Sequence, residues 1–588
     1  MRPRMNPAVR YVPCPDGVYL YGDRAARTLR GARAYEWLSR LAPYLDGATD
    51  MEDLTAGLPE SQRGTVENLV ALLHQHGFVT DARTDRPHRL STAESEVYAR
   101  EIAFIACAMD SPEYRFQRHR EGPVTILSSA GTTAVTAAVI EAGMRSGWVD
   151  VRVVAAEPDA LAGTGGWRDE RQRVVVEPGR VTEVDSGVIL QISCVPEELI
   201  AGVREYRGRE VALGQILVGP DEAWTTEVGH PDDTAAAGAW RRLAGTRHDA
   251  VESRPNRWLT GPVPAMLAAH LVLACFRHRT GMDTLPTPGP RVPRLTRLDL
   301  RTVEMTQHPV DFRGEPAVTS TDLVGAATEL VDEFTGALVE FGEQHLPQFP
   351  LALSRAVVSD PHRVLPEEVP LPEVFGWGPD PDSAHTRTML RALALYGWLS
   401  AVGQQAGEDL ITGETIERAP VPTSAVPVGL AAGLTRAGAL EWGLRQHCEA
   451  LLTARRPEWS NEPAVPPDSG NEPIAGLRQQ LEVLGHPVTV VDLTELLGIS
   501  AYAVRAGALP EVVSCAASRE TALRDGLERA LLAWQGHTSA HCAADPAASA
   551  NDAELLVKAV HAAGFRPLAL ELAAPAIPHL VQVVLDAE

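Results

Sequence analysis

The stretch Val124-Thr125-Ile126-Leu127-Ser128-Ser129-Ala130-Gly131-Thr132-Thr133 sets an apolar, β-branched run against a turn of small residues, and an Ala-rich run over 133–145 follows it. Such text predicts a strand buried on both faces, then a helix packed on it. The alternation recurs downstream in Val151-Arg152-Val153-Val154, in the run 188–192 and in Gln215-Ile216-Leu217-Val218, and a long apolar helix over 263–278 closes the series. Strands alternating with helices predict a parallel sheet, an α/β domain. The turn stands where a dinucleotide fingerprint GxGxxG would stand, yet only one of its glycines, Gly131, is present. Ala130 and Thr133 occupy places where glycine lets pyrophosphate approach the backbone and the helix pack close, so the segment reads as an ordinary strand-to-helix turn.

Upstream the text is different. Val18-Tyr19-Leu20-Tyr21 follows the turn Pro15-Asp16-Gly17 and pairs as a hairpin with 10–12, and Thr28-Leu29-Arg30 before Gly31 is a third strand. Trp37, Leu38, Leu41, Tyr44 and Leu45 recur at helical spacing up to Asp46-Gly47, and Thr49 with Glu52 forms the pattern of a capping box for a helix carrying Leu54 and Leu58. Val66, Leu69, Val70 and Leu73 mark a third helix stopped by Gly77, after which Phe78-Val79 returns as a strand. Strands, three helices and a final extended segment make a winged-helix-like module. The polar stretch 83–95 is a linker. From about residue 304 the chain becomes helix-rich and proline-punctuated, with two Ala/Leu/Gly helices, a Pro- and Glu-rich insertion over 457–473 and strands over 488–493, 568–572 and 580–585. The reading is three domains, 1–85, 95–305 and 306–588, α/β in class and α+β taken over the whole chain.

The 588 residues suffice for several domains at about 150 each. Lys plus Arg number 53 against 77 Asp plus Glu, a net charge of −24, the wrong sign for binding a phosphate backbone, although a local basic strip for an acidic peptide stays open. Cys14, Cys107, Cys194, Cys275, Cys448, Cys515 and Cys542 are scattered, without a CxxC pair, which argues for a reducing compartment and against a disulfide framework. The basic N-terminus lacks an apolar signal region, and the longest apolar stretch, over 263–276, is interrupted by His270, so a cytoplasmic protein without membrane or nucleic-acid partners is expected. His537, His541 and Cys542 read as scattered histidines and a thiol in loop text rather than a metal site, and no GxSxG elbow supports hydrolysis.

The N-terminal module, with Arg27-Thr28-Leu29-Arg30-Gly31, a helix ending in Tyr44-Leu45-Asp46-Gly47 and the closing Gly77-Phe78-Val79-Thr80-Asp81, resembles the leader-peptide recognition element of enzymes that modify ribosomally made peptides. Followed by a degenerate ThiF-like segment over about 95–305, it resembles the ThiF-like partner proteins of thiazole/oxazole-modified peptide and thiopeptide cyclodehydratases. The resemblance implies that a precursor's leader adds a strand beside the third strand against the third helix. The positions carrying this would be Thr28, Leu29 and Arg30, with Leu69, Leu72, Leu73 and His76; at helical spacing Leu69 and Leu73 also read as core, and Leu72 lies on another face. The cysteine pairs that hold zinc in many relatives are absent near Val218-Gly219-Pro220 and His308-Pro309-Val310-Asp311, so zinc is not expected.

The C-terminal half, with Val428-Gly429-Leu430-Ala431-Ala432-Gly433-Leu434-Thr435 before a helix and an earlier helix over 386–400, resembles YcaO proteins, which activate a backbone amide with ATP. In that family each helix carries Glu-x-x-Glu-Arg, whose carboxylates hold magnesium against the triphosphate. The matching positions here are Ala394, Gly397 and Trp398 on the first helix and Gln446, Glu449 and Ala450 on the second, with Gly438 where a further Glu would stand. One carboxylate, Glu449, cannot compensate phosphate charge that four or five share, so this half is expected to be a pseudoenzyme with no cofactor of its own, ATP and magnesium belonging to a partner. Trp398 in the Arg place is expected to fill the triphosphate volume, leaving the half, Trp442 included, to dock a catalytic YcaO or a second copy of the chain. The expected function is a leader-binding scaffold subunit of an azoline-installing cyclodehydratase. The alternatives are a self-sufficient ATP-dependent cyclodehydratase and, more weakly, a winged-helix regulator.

Overall fold

The computed structural model describes residues 1–588 except 23–24, 180–186, 232–237, 241–242, 244–255, 286–292, 311–318, 363, 367–368, 402, 404, 419–426, 460–471, 539–548, 575 and 588. Asp311, His541, Cys542 and most of the 457–473 insertion lie outside the described residues. The fold is mixed α/β, in two compact units built mainly from 1–306 and from 307–588.

The first unit opens with β1 (Pro3–Met5), β2 (Arg10–Cys14), β3 (Gly17–Tyr21), β4 (Ala26–Arg30), α1 (Ala34–Leu41), α2 (Met51–Thr55), α3 (Glu60–Gln75) and β5 (Val79–Asp81). Strands β2, β3 and β4 form an antiparallel meander in that order, while β1 pairs with β5. Alternation along β3 buries Val18 and Leu20 and exposes Tyr19 and Tyr21. The buried pair packs with Leu29, Leu38, Leu41, Val66, Val70 and Leu73 in one small core. The capping box expected at Thr49 and Glu52 does not form. The helix starts at Met51 behind Asp50, whose side chain caps nothing because its carboxylate is taken by Arg2 Nε at 3.1 Å.

Helices α4 (Thr92–Val97), α5 (Ala99–Ala106) and α6 (Pro112–Glu121) lead into an eight-stranded sheet. Its strands are β6 (Val124–Ser128), β7 (Asp150–Ala155), β8 (Arg173–Pro178), β9 (Gly187–Ser193), β10 (Val211–Val218), β11 (Glu222–Thr226), β12 (Arg294–Asp299) and β13 (Met305–Pro309), with α7 (Thr133–Ser146) after β6 and α8 (Pro196–Tyr206) after β9. The order is β13-β12-β11-β10-β9-β6-β7-β8, parallel from β10 to β8. From β6 the chain runs outward through β7 and β8, then returns to place β9 on the other side, so the sheet switches direction between β6 and β9. That point is where open α/β sheets hold ligands, beyond the strands' carboxyl ends.

In the second unit the helix Pro381–Ser400 packs on the sheet β14-β15-β16 (Leu338–Gly342, Ala352–Val358, Glu373–Gly378). The helix Arg436–Ala454 packs on β19 (Leu430–Gly433) and β24 (His579–Ala587), in a five-stranded sheet completed by β17 (Gln405–Asp409), β18 (Thr415–Arg418) and β23 (Phe565–Leu572). A third, antiparallel sheet of β20 (Val488–Asp492), β21 (Ser500–Ala506) and β22 (Val512–Ala516) carries the helix Arg519–Trp534. Among the described residues no helix is long and apolar enough to cross a membrane, Val263–Thr280 included.

Candidate functional site

Strand β4 lies at the edge of its sheet, and its backbone bonding can be read from the two ends of the hairpin. Gly31 N donates to Asp16 O at 2.7 Å and Gly22 N to Ala25 O at 2.9 Å. Antiparallel alternation then turns the N–H and C=O of Arg27 and Leu29 toward β3, and those of Ala26, Thr28 and Arg30 outward. No strand among the described residues pairs with that outer edge. Three consecutive outward positions therefore offer an unfilled ladder, the arrangement that accepts an added strand.

The structure separates the seven peptide-site candidates by role. Thr28 and Arg30 are exposed edge residues, whereas Leu29 spends its backbone on β3 and its side chain in the core, so it holds the strand in place and presents no edge. Leu73 is likewise fully buried with Val66 and Val70, because these positions share the inward stripe of α3. Leu69 and His76 are half-buried, and Leu72 stands 37% exposed. Thr28, Arg30, Leu72 and His76 are thus the candidates with surface to give.

At the sheet's switch point the hydroxyl groups bond to one another and to carboxylates. Ser128 Oγ lies 2.9 Å from Thr132 Oγ1 and 2.7 Å from Thr136 Oγ1. The Glu198 carboxylate, in the first turn of α8, accepts from Ser193 Oγ at 2.7 Å and from Ser129 Oγ. Thr133 Oγ1 donates to Glu157 at 2.5 Å. A carboxylate already sits on the positive end of α8, so a phosphate there would meet negative charge.

In the second unit every residue over 388–399 except Arg391 is buried, which includes Ala394, Gly397 and Trp398. Gly397 is packed so closely that a Cβ added to it would stand 2.1 Å from Leu580 Cδ2 and 2.9 Å from the Ala573 carbonyl oxygen, so no acidic side chain fits. Gln446 is held at both ends: its Oε1 accepts from Gly429 N at 3.0 Å and its Nε2 donates to Leu430 O at 2.9 Å. A carboxylate could not make the second bond, having no proton to donate. Ala450 faces solvent with nothing to offer a phosphate.

Glu449, the remaining carboxylate, belongs to a buried charge network that the sequence reading missed. Glu441, Arg445 and Glu449 on Arg436–Ala454 meet Asp525, Glu528 and Arg529 on Arg519–Trp534, all nine-tenths buried or more. Arg529 Nη1 lies 3.1 Å from Glu449 Oε1 and 3.3 Å from Asp525 Oδ2, Arg445 lies 3.5 Å from Glu441, and Arg387 reaches Glu528 at 2.8 Å. Where the resemblance calls for magnesium, a guanidinium is the counter-charge. Burial pushes the Glu449 carboxyl up to about 7 against the pull of Arg529, with Asp525 adding to the rise. Because its folded pKa lies above the unfolded value, this group stabilises the fold below about pH 4.5 and that contribution is lost as pH rises through 7. Glu449→Gln is expected to flatten the fall in unfolding free energy between pH 5 and pH 8 by about 2–3 kcal/mol, measured by urea titration at each pH.

No protein-family model matches the chain, and no curated protein matches it. Among solved structures, a heterocyclase in complex with substrate and cofactor aligns at a TM-score of 0.59 and 16% identity, over 100% of this chain and 94% of that one. The heterocyclase TruD aligns at 0.58 and 15% identity, over 99% of this chain and 94% of that one. The chain shares the fold of these heterocyclases along its whole length.

Proposed function

We propose that the chain is a peptide-binding, non-catalytic component of a peptide heterocyclisation system. It captures the leader of a ribosomally made precursor on β4 and presents the core to a separate, intact YcaO enzyme that forms azolines with ATP. The observation that carries this reading is the outward ladder of Ala26, Thr28 and Arg30, and the Glu198 carboxylate at the switch point and the Glu449–Arg529 pair support its non-catalytic part. Fold likeness to a heterocyclase solved with its substrate and cofactor supports a place in heterocyclisation. Anchoring the leader makes modification of the core effectively intramolecular, at up to about millimolar local concentration. Within this reading 1–85 is the recognition element, 95–305 a ThiF-like body and 306–588 a YcaO-like body that docks the catalytic partner.

The test is to search the neighbouring genes for a short Cys/Ser/Thr-rich precursor and a YcaO protein with intact Glu pairs, and to reconstitute the chain with both. Adding the chain is expected to raise azoline formation at limiting precursor by at least tenfold, read as loss of 18 Da per ring. Equal turnover with and without the chain would remove the proposal.

A further inference from the structure

Away from β4, the first unit carries a cleft of about 490 Å³ lined by Arg100, Glu101, Arg145, Gly166, Trp167 and Arg168. It is a built feature. Gly166 lets the loop run against the last turn of α7, where an added Cβ would stand 2.9 Å from the Glu141 carbonyl oxygen. Arg168 is locked by Glu101 at 2.5 Å, by the carbonyls of Arg145 and Val97, and by the Tyr98 ring 4.4 Å from its guanidinium. On this fixed floor three groups remain available. The Trp167 indole is 55% exposed, a large aromatic surface held at the rim with no partner ring among the described residues. Arg100 is exposed and makes no ion pair among the described residues, and Arg145 has only the exposed Glu141, a pairing of little worth that a ligand can share.

We infer that this cleft is a second contact site for a peptide, taking an acidic side chain on Arg100 and Arg145 and an adjacent aromatic or large apolar side chain on the Trp167 face. Guanidiniums beside an aromatic platform form a local positive site on a chain of net charge −24, so the complement is an anion with an apolar neighbour. The inference rests on the β4 reading only in taking the ligand to be a peptide. Continuity supports that choice: Arg100 and Glu101 stand at the start of α5, and Cys107, the residue that caps its far end, accepts from Asn6 of the N-terminal module at 2.8 Å. Eight helical residues, about 12 Å, thus separate the cleft from Asn6 of the module that also carries β4. Two contacts on one peptide multiply affinity without new chemistry at either.

The test pans a display library of random 20-residue peptides on the full chain and synthesises the recovered peptides. Each is titrated against wild type, the double variant Arg100→Glu/Trp167→Ala, the conservative pair Arg100→Lys/Trp167→Phe and the edge variant Thr28→Pro, with thermal unfolding showing that all fold. The expected peptides carry Asp or Glu within three residues of Phe, Tyr or Trp, bind the double variant at least tenfold more weakly than wild type, and bind the conservative pair within threefold. Equal affinity for wild type and double variant overturns the inference. Loss only with Thr28→Pro overturns it and leaves the β4 reading standing, whereas loss only with the double variant supports the cleft and removes the β4 reading.

Discussion

Arg529→Met is expected to lower the stability of the second unit by about 3–5 kcal/mol, because it leaves buried carboxylates without their counter-charge. Glu449 loses the guanidinium 3.1 Å away, Asp525 the one at 3.3 Å, and the Val513 carbonyl its donor at 3.0 Å. The methionine fills similar volume, so little of the effect is cavity. The loss is to be read as a shift in the urea midpoint, and its pH dependence identifies the cause. At pH 8 Glu449 is ionised and the full penalty applies; at pH 5.5, below its folded pKa of about 7, it carries a proton and the penalty shrinks. A loss equal at both pH values would mean that Arg529 acts by packing and that the network is not what closes the second unit.

Thr28→Pro is expected to weaken precursor binding by at least tenfold while changing the stability by less than about 1 kcal/mol. Proline removes the N–H that Thr28 turns outward, and an added strand cannot then complete its ladder. It takes nothing from the pairing with β3, since β4 donates to β3 through Arg27 and Leu29. Leu29→Pro is the informative contrast, because it breaks the inner ladder and the core together and should unfold the module. Binding is measured by fluorescence anisotropy of the labelled precursor. Unchanged affinity in the Thr28 variant would move the peptide off this edge.

The elements that local patterning specifies were legible in the sequence. The hairpin and third strand fall at Arg10–Cys14, Gly17–Tyr21 and Ala26–Arg30, and the apolar runs at 124–127, 151–154, 188–192 and 215–218 all lie in the parallel part of the large sheet. What was hidden depends on tertiary placement. Pro3–Met5 is a strand only because β5 returns beside it, and three residues headed by a proline are too short a run to announce it. Helical spacing already set Leu72 apart from Leu69 and Leu73, and Leu72 is the exposed one, whereas the burial of Leu29 follows from packing. The charge network escaped for a related reason: Glu441, Arg445, Glu449, Asp525 and Arg529 stand at i, i+4 spacing, a pattern that ordinarily marks a solvated helix face. Here two such faces meet and exclude water.

The central claim is that the chain binds peptide and does not use nucleotide. Phosphate release from Mg-ATP by the purified full chain with saturating precursor and no other protein tests it most directly. The account predicts release no faster than the buffer blank, because Glu198 sets negative charge at the switch point and Glu449 is spent on Arg529. Precursor-dependent phosphate release accompanied by an 18 Da loss from the peptide would contradict it.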